Sequence, residues 1–106
     1  MTQGIMQGDQ YRIPISLEEN SIPITSCDIK DLEVFIGPYR KTLSNGDIEF
    51  DANESAFYVY VTQKETFSMR GDVEIQARIL YPSGDVVGIL LGIVNFITST
   101  SRVVLT

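Results

Sequence analysis

Between residues 72 and 81 apolar and polar positions alternate. Val73, Ile75, Ala77, Ile79 and Tyr81 fall on one side, and Glu74, Gln76, Arg78 and Leu80 on the other. A period of two over ten residues buries one set and leaves the other to solvent, as in a half-buried antiparallel strand. Residues 10–17 repeat the pattern, with Tyr11, Ile13, Ile15 and Leu17 set against Gln10, Arg12, Pro14 and Ser16. Pro14 has no N–H for a second ladder, so this strand belongs at a sheet edge. Further strands are predicted at 28–36, where Leu32, Val34 and Ile36 are the strong set and Gly37-Pro38 the stop, and at 56–62 (AFYVYVT), rich in β-branched and aromatic residues.

Turn chemistry divides the rest. Asn45-Gly46 within Ser44-Asn45-Gly46-Asp47, between strand-like runs at 39–43 and 48–51, predicts a β-hairpin. Residues 18–21 read as a polar turn, 22–25 as a short bridge, 53–55 as a loop, and 64–69 as either one helical turn or a crossing loop. Tyr81-Pro82-Ser83-Gly84-Asp85 is a turn. Two strands follow, at 86–91 and 93–104, separated or kinked near Gly92. No window sustains a helical period for three turns, and turn signals recur every 8–12 residues or so. The expected architecture is all-β: a single antiparallel β-sandwich of seven or eight strands spanning 1–106, with residues 1–9 flexible. It is immunoglobulin-like in shape alone, because the Cys and Trp hallmarks of antibody domains are missing.

Composition narrows the function. A chain of 106 residues, 43% hydrophobic, can enclose one core. Fourteen acidic against eight basic residues give a formal net charge of −6, and the one basic cluster is Arg40 with Lys41, so nucleic-acid binding is not expected. With no histidine, the commonest general base and metal ligand are missing. A single cysteine, Cys27, cannot form an intrachain disulfide, which suits an intracellular or particle-assembled protein. Residues 1–10 have neither the charged nor the apolar region of a signal peptide. The most apolar window, 86–97 (VVGILLGIVNFI), is about half the ~20 residues a membrane helix needs. A buried strand pair is the expectation there, with no membrane contact.

Several constellations carry candidate chemistry. Asp47, Glu49, Asp51 and Asn53 lie two apart and could aim oxygens from one face at calcium. An EF-hand would need Gly and Glu where Ala52 and Tyr58 stand, so a solvated face is expected and no metal or cofactor is called for. Arg70-Gly71-Asp72 spells an integrin-recognised tripeptide, but at a loop-to-strand junction Gly71 is explained by a turn with positive φ. Asn53-Glu54-Ser55 matches a glycosylation acceptor and reads as a loop. Lys64 and Ser68 could meet across a helical turn, though an exposed lysine activates no nucleophile. Cys27 beside Asp28 is a poor thiolate. Among Phe50, Phe57, Tyr58, Tyr60 and Phe67, the alternation turns Phe57 inward, leaving Tyr58 and Tyr60 as a candidate ligand face.

The run Val61-Thr62-Gln63-Lys64-Glu65-Thr66, followed by Gly71-Asp72-Val73, Ile75-Gln76-Ala77-Arg78 and Gly84-Asp85-Val86, resembles the N-terminal immunoglobulin-like domain of baseplate upper proteins, structural proteins of phages and prophages of Gram-positive bacteria. Gln7-Gly8-Asp9 and residues 93–105 are compatible with the same plan. Family members continue into a long C-terminal region presenting the receptor-binding component, and only the N-terminal portion has a counterpart here. The resemblance implies a non-enzymatic part of a virion or prophage particle. Its partners would be other virion structural proteins or further copies of itself, and it would reside in the virion or the host cytoplasm. The corner Thr62, Gln63, Glu65 and Thr66 is expected to satisfy loop backbone groups and set how two strands cross between sheets. Val86, Val87, Ile89, Leu90, Leu91 and Ile93 form a candidate assembly edge, open to strand addition if unpaired. Competing readings are a carbohydrate-binding module using Tyr58 and Tyr60 and, last, a small hydrolase, for which no paired acid and base are recognisable.

Overall fold

The computed structural model describes residues 2–7 and 10–97, with backbone alone for 2–5. In chain order the elements are β1 (Thr2–Met6), β2 (Tyr11–Ile15), β3 (Glu18–Glu19), β4 (Ile22–Pro23), β5 (Asp31–Ile36), β6 (Tyr39–Thr42), β7 (Ile48–Asp51), β8 (Ala56–Val61), α1 (Gln63–Phe67), β9 (Gly71–Leu80) and β10 (Val86–Ile97). Five strands form one sheet in the order β1-β10-β9-β5-β6, and three form a second in the order β2-β8-β7. A two-residue ribbon, β3-β4, stands beside them. The pairings are antiparallel except for β1, which runs parallel to β10. This is the all-β sandwich the alternation predicts, with eight strands in its two layers.

The period-two residues fill the space between the layers. Ile13 and Ile15 of β2 and Phe57, Val59 and Val61 of β8 share one core with Leu32, Val34 and Ile36 of β5, Ile75, Ala77 and Ile79 of β9, and Val94 and Phe96 of β10. Phe57 is fully buried and meets Phe50 at a ring separation of 4.8 Å. Burying such a side chain stabilises the fold by roughly 1.5–3 kcal/mol. Pro14 does lie on an edge strand, β2.

Four local expectations need correction. The Asn45-Gly46 segment joins strands of different sheets and makes no hairpin. Leu43 N–H donates to Leu32 on the five-stranded side, whereas the Asp47 carbonyl accepts from Tyr60 N–H on the three-stranded side. The tight turn forms, closed by Gly46 N–H to the Leu43 carbonyl, but burying Ile48 against the opposite layer draws the chain across. Thr2–Met6 was expected to be flexible and is a strand, completing the ladder along Ile93–Ile97. Gln7 fixes its end, donating its N–H to the Ile97 carbonyl at 2.7 Å and its amide Nε2 to the Met69 carbonyl at 2.7 Å. The strand expected to start at residue 28 starts at Asp31, because Asp28 closes a turn by accepting from Thr25 N–H at 2.9 Å. The polar turn at 18–21 is the ribbon's tip, where Asn20 and Ser21 both have positive φ, the pattern of a type I′ turn.

The turn at 81–85 forms as predicted, with Tyr81 N–H bonded to the Asp85 carbonyl. Beyond it, two expected strands are one. β10 runs through Gly92 with a bulge: Leu90 faces Gln76, Gly92 faces Ile75, and Leu91 is the extra residue. The extension predicted for residues 98–104 lies outside the described residues.

Candidate functional site

β10 is lined by β9 from Val86 to Phe96 on one side, but on the other β1 covers only Ile93–Ile97. Among the described residues, Val86 to Leu91 therefore has no ladder neighbour on its outer side. This segment was also expected to be buried, and it is not: Val86, Val87 and Leu90 are 57%, 45% and 65% exposed. Register explains both halves of that result. Val86, Gly88 and Leu90 pair with Leu80, Arg78 and Gln76 and share their outer face, so their hydrophobicity meets solvent. Val87 and Ile89 pair with the buried Ile79 and Ala77 and point inward, yet Val87 remains 45% exposed. An open groove runs there, lined by Glu18, Ile24, Ile79, Tyr81, Val87 and Ile89. Ile93 (38%) and Ile97 (47%) continue the outer apolar stripe past the open stretch, to Met6 beside Ile97. Of the candidate edge residues, Val86, Val87, Ile89, Leu90 and Leu91 belong to the open half, while Ile93 is paired with Thr2. No residue from Val86 to Ile97 is charged.

The corner is a helix start. Thr62 caps α1 by accepting from Glu65 N–H at 3.2 Å, while its own N–H donates to Glu65 Oε1 at 2.9 Å, the reciprocal bonds of a capping box. Thr66 is wholly buried and donates its hydroxyl to the Gln63 carbonyl at 3.0 Å. Lys41 Nζ reaches both carboxylate oxygens of Glu65 at 2.7 Å, tying α1 to β6. Burial would raise the Glu65 carboxyl, but the bonds from Lys41 and Thr62 outweigh it and hold the carboxyl below its ordinary value. The sequence pairs Lys41 with Arg40 as a basic cluster, whereas strand alternation sends them to opposite faces. Lys41 faces inward opposite Val34, and Arg40 faces outward with Arg78 to bracket Glu33. Hydrogen bonds from Arg78 and then Arg40 keep the Glu33 carboxyl below its usual range. The same period-two reading used for the apolar residues would have separated the two cations.

Tyr58 and Tyr60 do share the outer face of the three-stranded sheet, beside Gln10, Tyr11 and Arg12. Arg12 lies over the Tyr58 ring, 4.9 Å from its centroid, and the Tyr58 hydroxyl is bonded to Glu54, which raises its pKa above the usual phenol value. One ring face thus already carries a cation. The acidic series serves the backbone: Asp47 Oδ2 accepts from Thr42 N–H at 3.3 Å, and Asp51 Oδ1 accepts from Asn53 N–H at 2.9 Å. Among the described residues no three His, Cys, Asp or Glu converge on a metal position. Gly71 enters β9 at φ +72°, and Asp72 accepts from Asn95 Nδ2 at 2.9 Å. No helix among the described residues is long and apolar enough to cross a membrane.

No protein-family model, curated protein or solved structure matches the chain.

Proposed function

We propose that this chain is a non-enzymatic structural component of a phage or prophage particle, acting through protein contacts made at the open half of β10. The observation that carries the docking role is the uncharged stretch Val86–Leu91, apolar on both faces and without an outer ladder neighbour among the described residues. Unpaired backbone groups on such a stretch can bond a further strand, and the exposed valines and leucine reward that pairing with apolar burial. The particle context is supported by the resemblance of the corner and the β9 strand to baseplate upper proteins. Mass spectrometry of purified, nuclease-treated particles from the source cells tests it, the expected result being this chain at a fixed ratio to the major structural proteins. Complementation with Leu90→Lys should exclude the chain from particles while the isolated variant melts like the parent. Absence of the parent chain from particles refutes the virion role, and normal incorporation of Leu90→Lys refutes the edge.

A further inference from the structure

We propose that Asn45-Gly46 is a self-modifying site, at which the folded chain converts Asn45 to isoaspartate and aspartate and so loosens the crossing between its two sheets. The reaction needs the backbone nitrogen of the next residue to reach the asparagine Cγ, and glycine leaves that nitrogen least shielded because it has no Cβ. Four asparagines occur in the chain, Asn20, Asn45, Asn53 and Asn95, and the residues that follow the other three, Ser21, Glu54 and Phe96, all carry a Cβ. Asn95 is further held in the β9-β10 ladder with its amide on Asp72. Asn45 and Gly46 are both exposed, and even a Cβ built on Gly46 would meet nothing within 4 Å, so water and base reach the turn freely. The Asn45 carboxamide extends past Gly46 to Asp47 Oδ2 at 3.3 Å. Gly46 N–H is held by the Leu43 carbonyl at 3.2 Å, the long end of the normal range. The flanks are anchored separately, Leu43 N–H on Leu32 and the Asp47 carbonyl by Tyr60 N–H, so the turn can open while both sheets stay intact.

The step needs no oxidant or reductant, and water is its only co-reactant. Gly46 N loses its proton and attacks Asn45 Cγ. The new N–Cγ bond closes a five-membered succinimide as the Cγ–Nδ2 bond breaks, and the side-chain nitrogen leaves with that proton as ammonia. Water then adds to either ring carbonyl. Opening on the side-chain carbonyl returns the ordinary backbone with aspartate at 45, whereas opening on the main-chain carbonyl routes the chain through the side-chain carbon and lengthens it by a methylene. Either product sets a carboxylate where an amide donated to Asp47, so a hydrogen bond becomes a like-charge contact. Asp47 Oδ2 is also the acceptor for Thr42 N–H at 3.3 Å. Isoaspartate in addition displaces Asn45 N–H from Thr42 Oγ1, now at 3.2 Å, and Gly46 N–H from Leu43. These bonds shape the turn that carries the chain from β6 to β7, so the loss falls on the two short edge strands it joins.

The test follows residue 45 in the folded chain. The parent chain is held in mildly alkaline buffer at physiological temperature, with circular dichroism reporting that the fold persists, and its peptides are mapped by mass and by isoaspartyl methyltransferase labelling. Conversion should appear at Asn45 before Asn20, Asn53 or Asn95, with one ammonia released per carboxylate formed. It should accelerate with pH, because the attacking nitrogen must lose its proton. Asn45→Gln keeps an amide but would have to close a larger ring, so it should yield no acidic species on anion exchange over the same interval. The isoaspartate form of the parent, isolated on that column, should melt lower by roughly 4–8 °C, the shift expected for the loss of one hydrogen bond. Its Leu43 and Tyr60 amides, which tie the turn to the two layers, should exchange faster than in the parent. Asn45→Asp adds the charge without lengthening the chain and should melt between the two. Conversion confined to the urea-unfolded chain, or led by another asparagine, overturns the site. An isoaspartate form that melts and exchanges like the parent overturns the loosening of the crossing.

Discussion

Glu65→Ala tests the corner, because that one carboxylate holds three donors. It receives Thr62 N–H and both contacts of Lys41, whose side chain is only 10% exposed. Losing half of a capping box costs about 0.5–1 kcal/mol. Stranding a lysine in a fully buried pair costs roughly 3–5 kcal/mol, but Glu65 is 19% exposed and Lys41 can withdraw partway to solvent, so about half that applies here. The sum is about 2–3.5 kcal/mol, or roughly 10–25 °C in Tm for a domain near 100 residues. Lys41→Met should cost less, about 1 kcal/mol or under, because it replaces the cation with apolar volume and leaves Glu65 bonded to Thr62.

The pH dependence has a definite sign. The folded Glu65 carboxyl lies below its ordinary value, so its contribution is complete above the unfolded pKa of about 4.3 and is lost as pH falls through the folded value. Urea titrations of the parent chain and Glu65→Gln from pH 7 to pH 3 should therefore show a gap that narrows below about pH 4.3. A cost under about 0.5 kcal/mol for Glu65→Ala at pH 7, or a gap that widens with acid, would refute the assignment of this ion pair as the tie between α1 and β6.

Two further outcomes follow from backbone geometry. Gly37→Ala should destabilise by about 1–2 kcal/mol and by more than Gly46→Ala: both have positive φ, but only at Gly37 does an added Cβ press on Val73 Cγ1 at 3.0 Å. Equal melting temperatures for the two variants would remove the steric part of that reasoning. Gln7→Leu deletes the amide donated to the Met69 carbonyl and should cost about 1–3 kcal/mol, with faster amide hydrogen exchange confined first to β1; uniform exchange across both sheets would contradict a local latch.

Where one face of a strand is buried, its period is visible in the chain, and β2, β5, β8 and β9 could be read directly from it. The Thr62 to Glu65 spacing likewise carries the capping box. What escaped had non-local causes. Asn45-Gly46 forms its tight turn in either a hairpin or a crossing, and the choice depends on where Ile48 finds its layer. Thr2–Met6 is too short and polar to show a period, and it becomes a strand only because β10 offers it a ladder. Residues 86–91 look like buried sequence because an unpaired strand apolar on both faces cannot be told from a covered one by composition. Exposure of that stretch is a property of the sheet order.

That exposure gains meaning from the other edges of the same molecule. β2 carries Pro14, which offers no N–H, and Arg12 beside it. β6 is four residues long, with Arg40 outward and Lys41 turned into the interior, an inward charge that a docking strand would have to accommodate. β7 is equally short and bears Glu49 and Asp51. Each device raises the cost of adding a strand. The open half of β10 has none of them along six residues, and its bulge lies at the far end, between Leu90 and Gly92, where β1 takes over. Of the described edges, β1 (Thr2–Met6) is likewise without charge or proline, so the contrast is with β2, β6 and β7. If the unguarded half of β10 is a pairing surface, transplanting a guard onto it should abolish association without loss of stability: the outward-facing Leu90, 65% exposed, can become lysine in solvent at little cost to the monomer, whereas the same change at buried Val94 would unfold it.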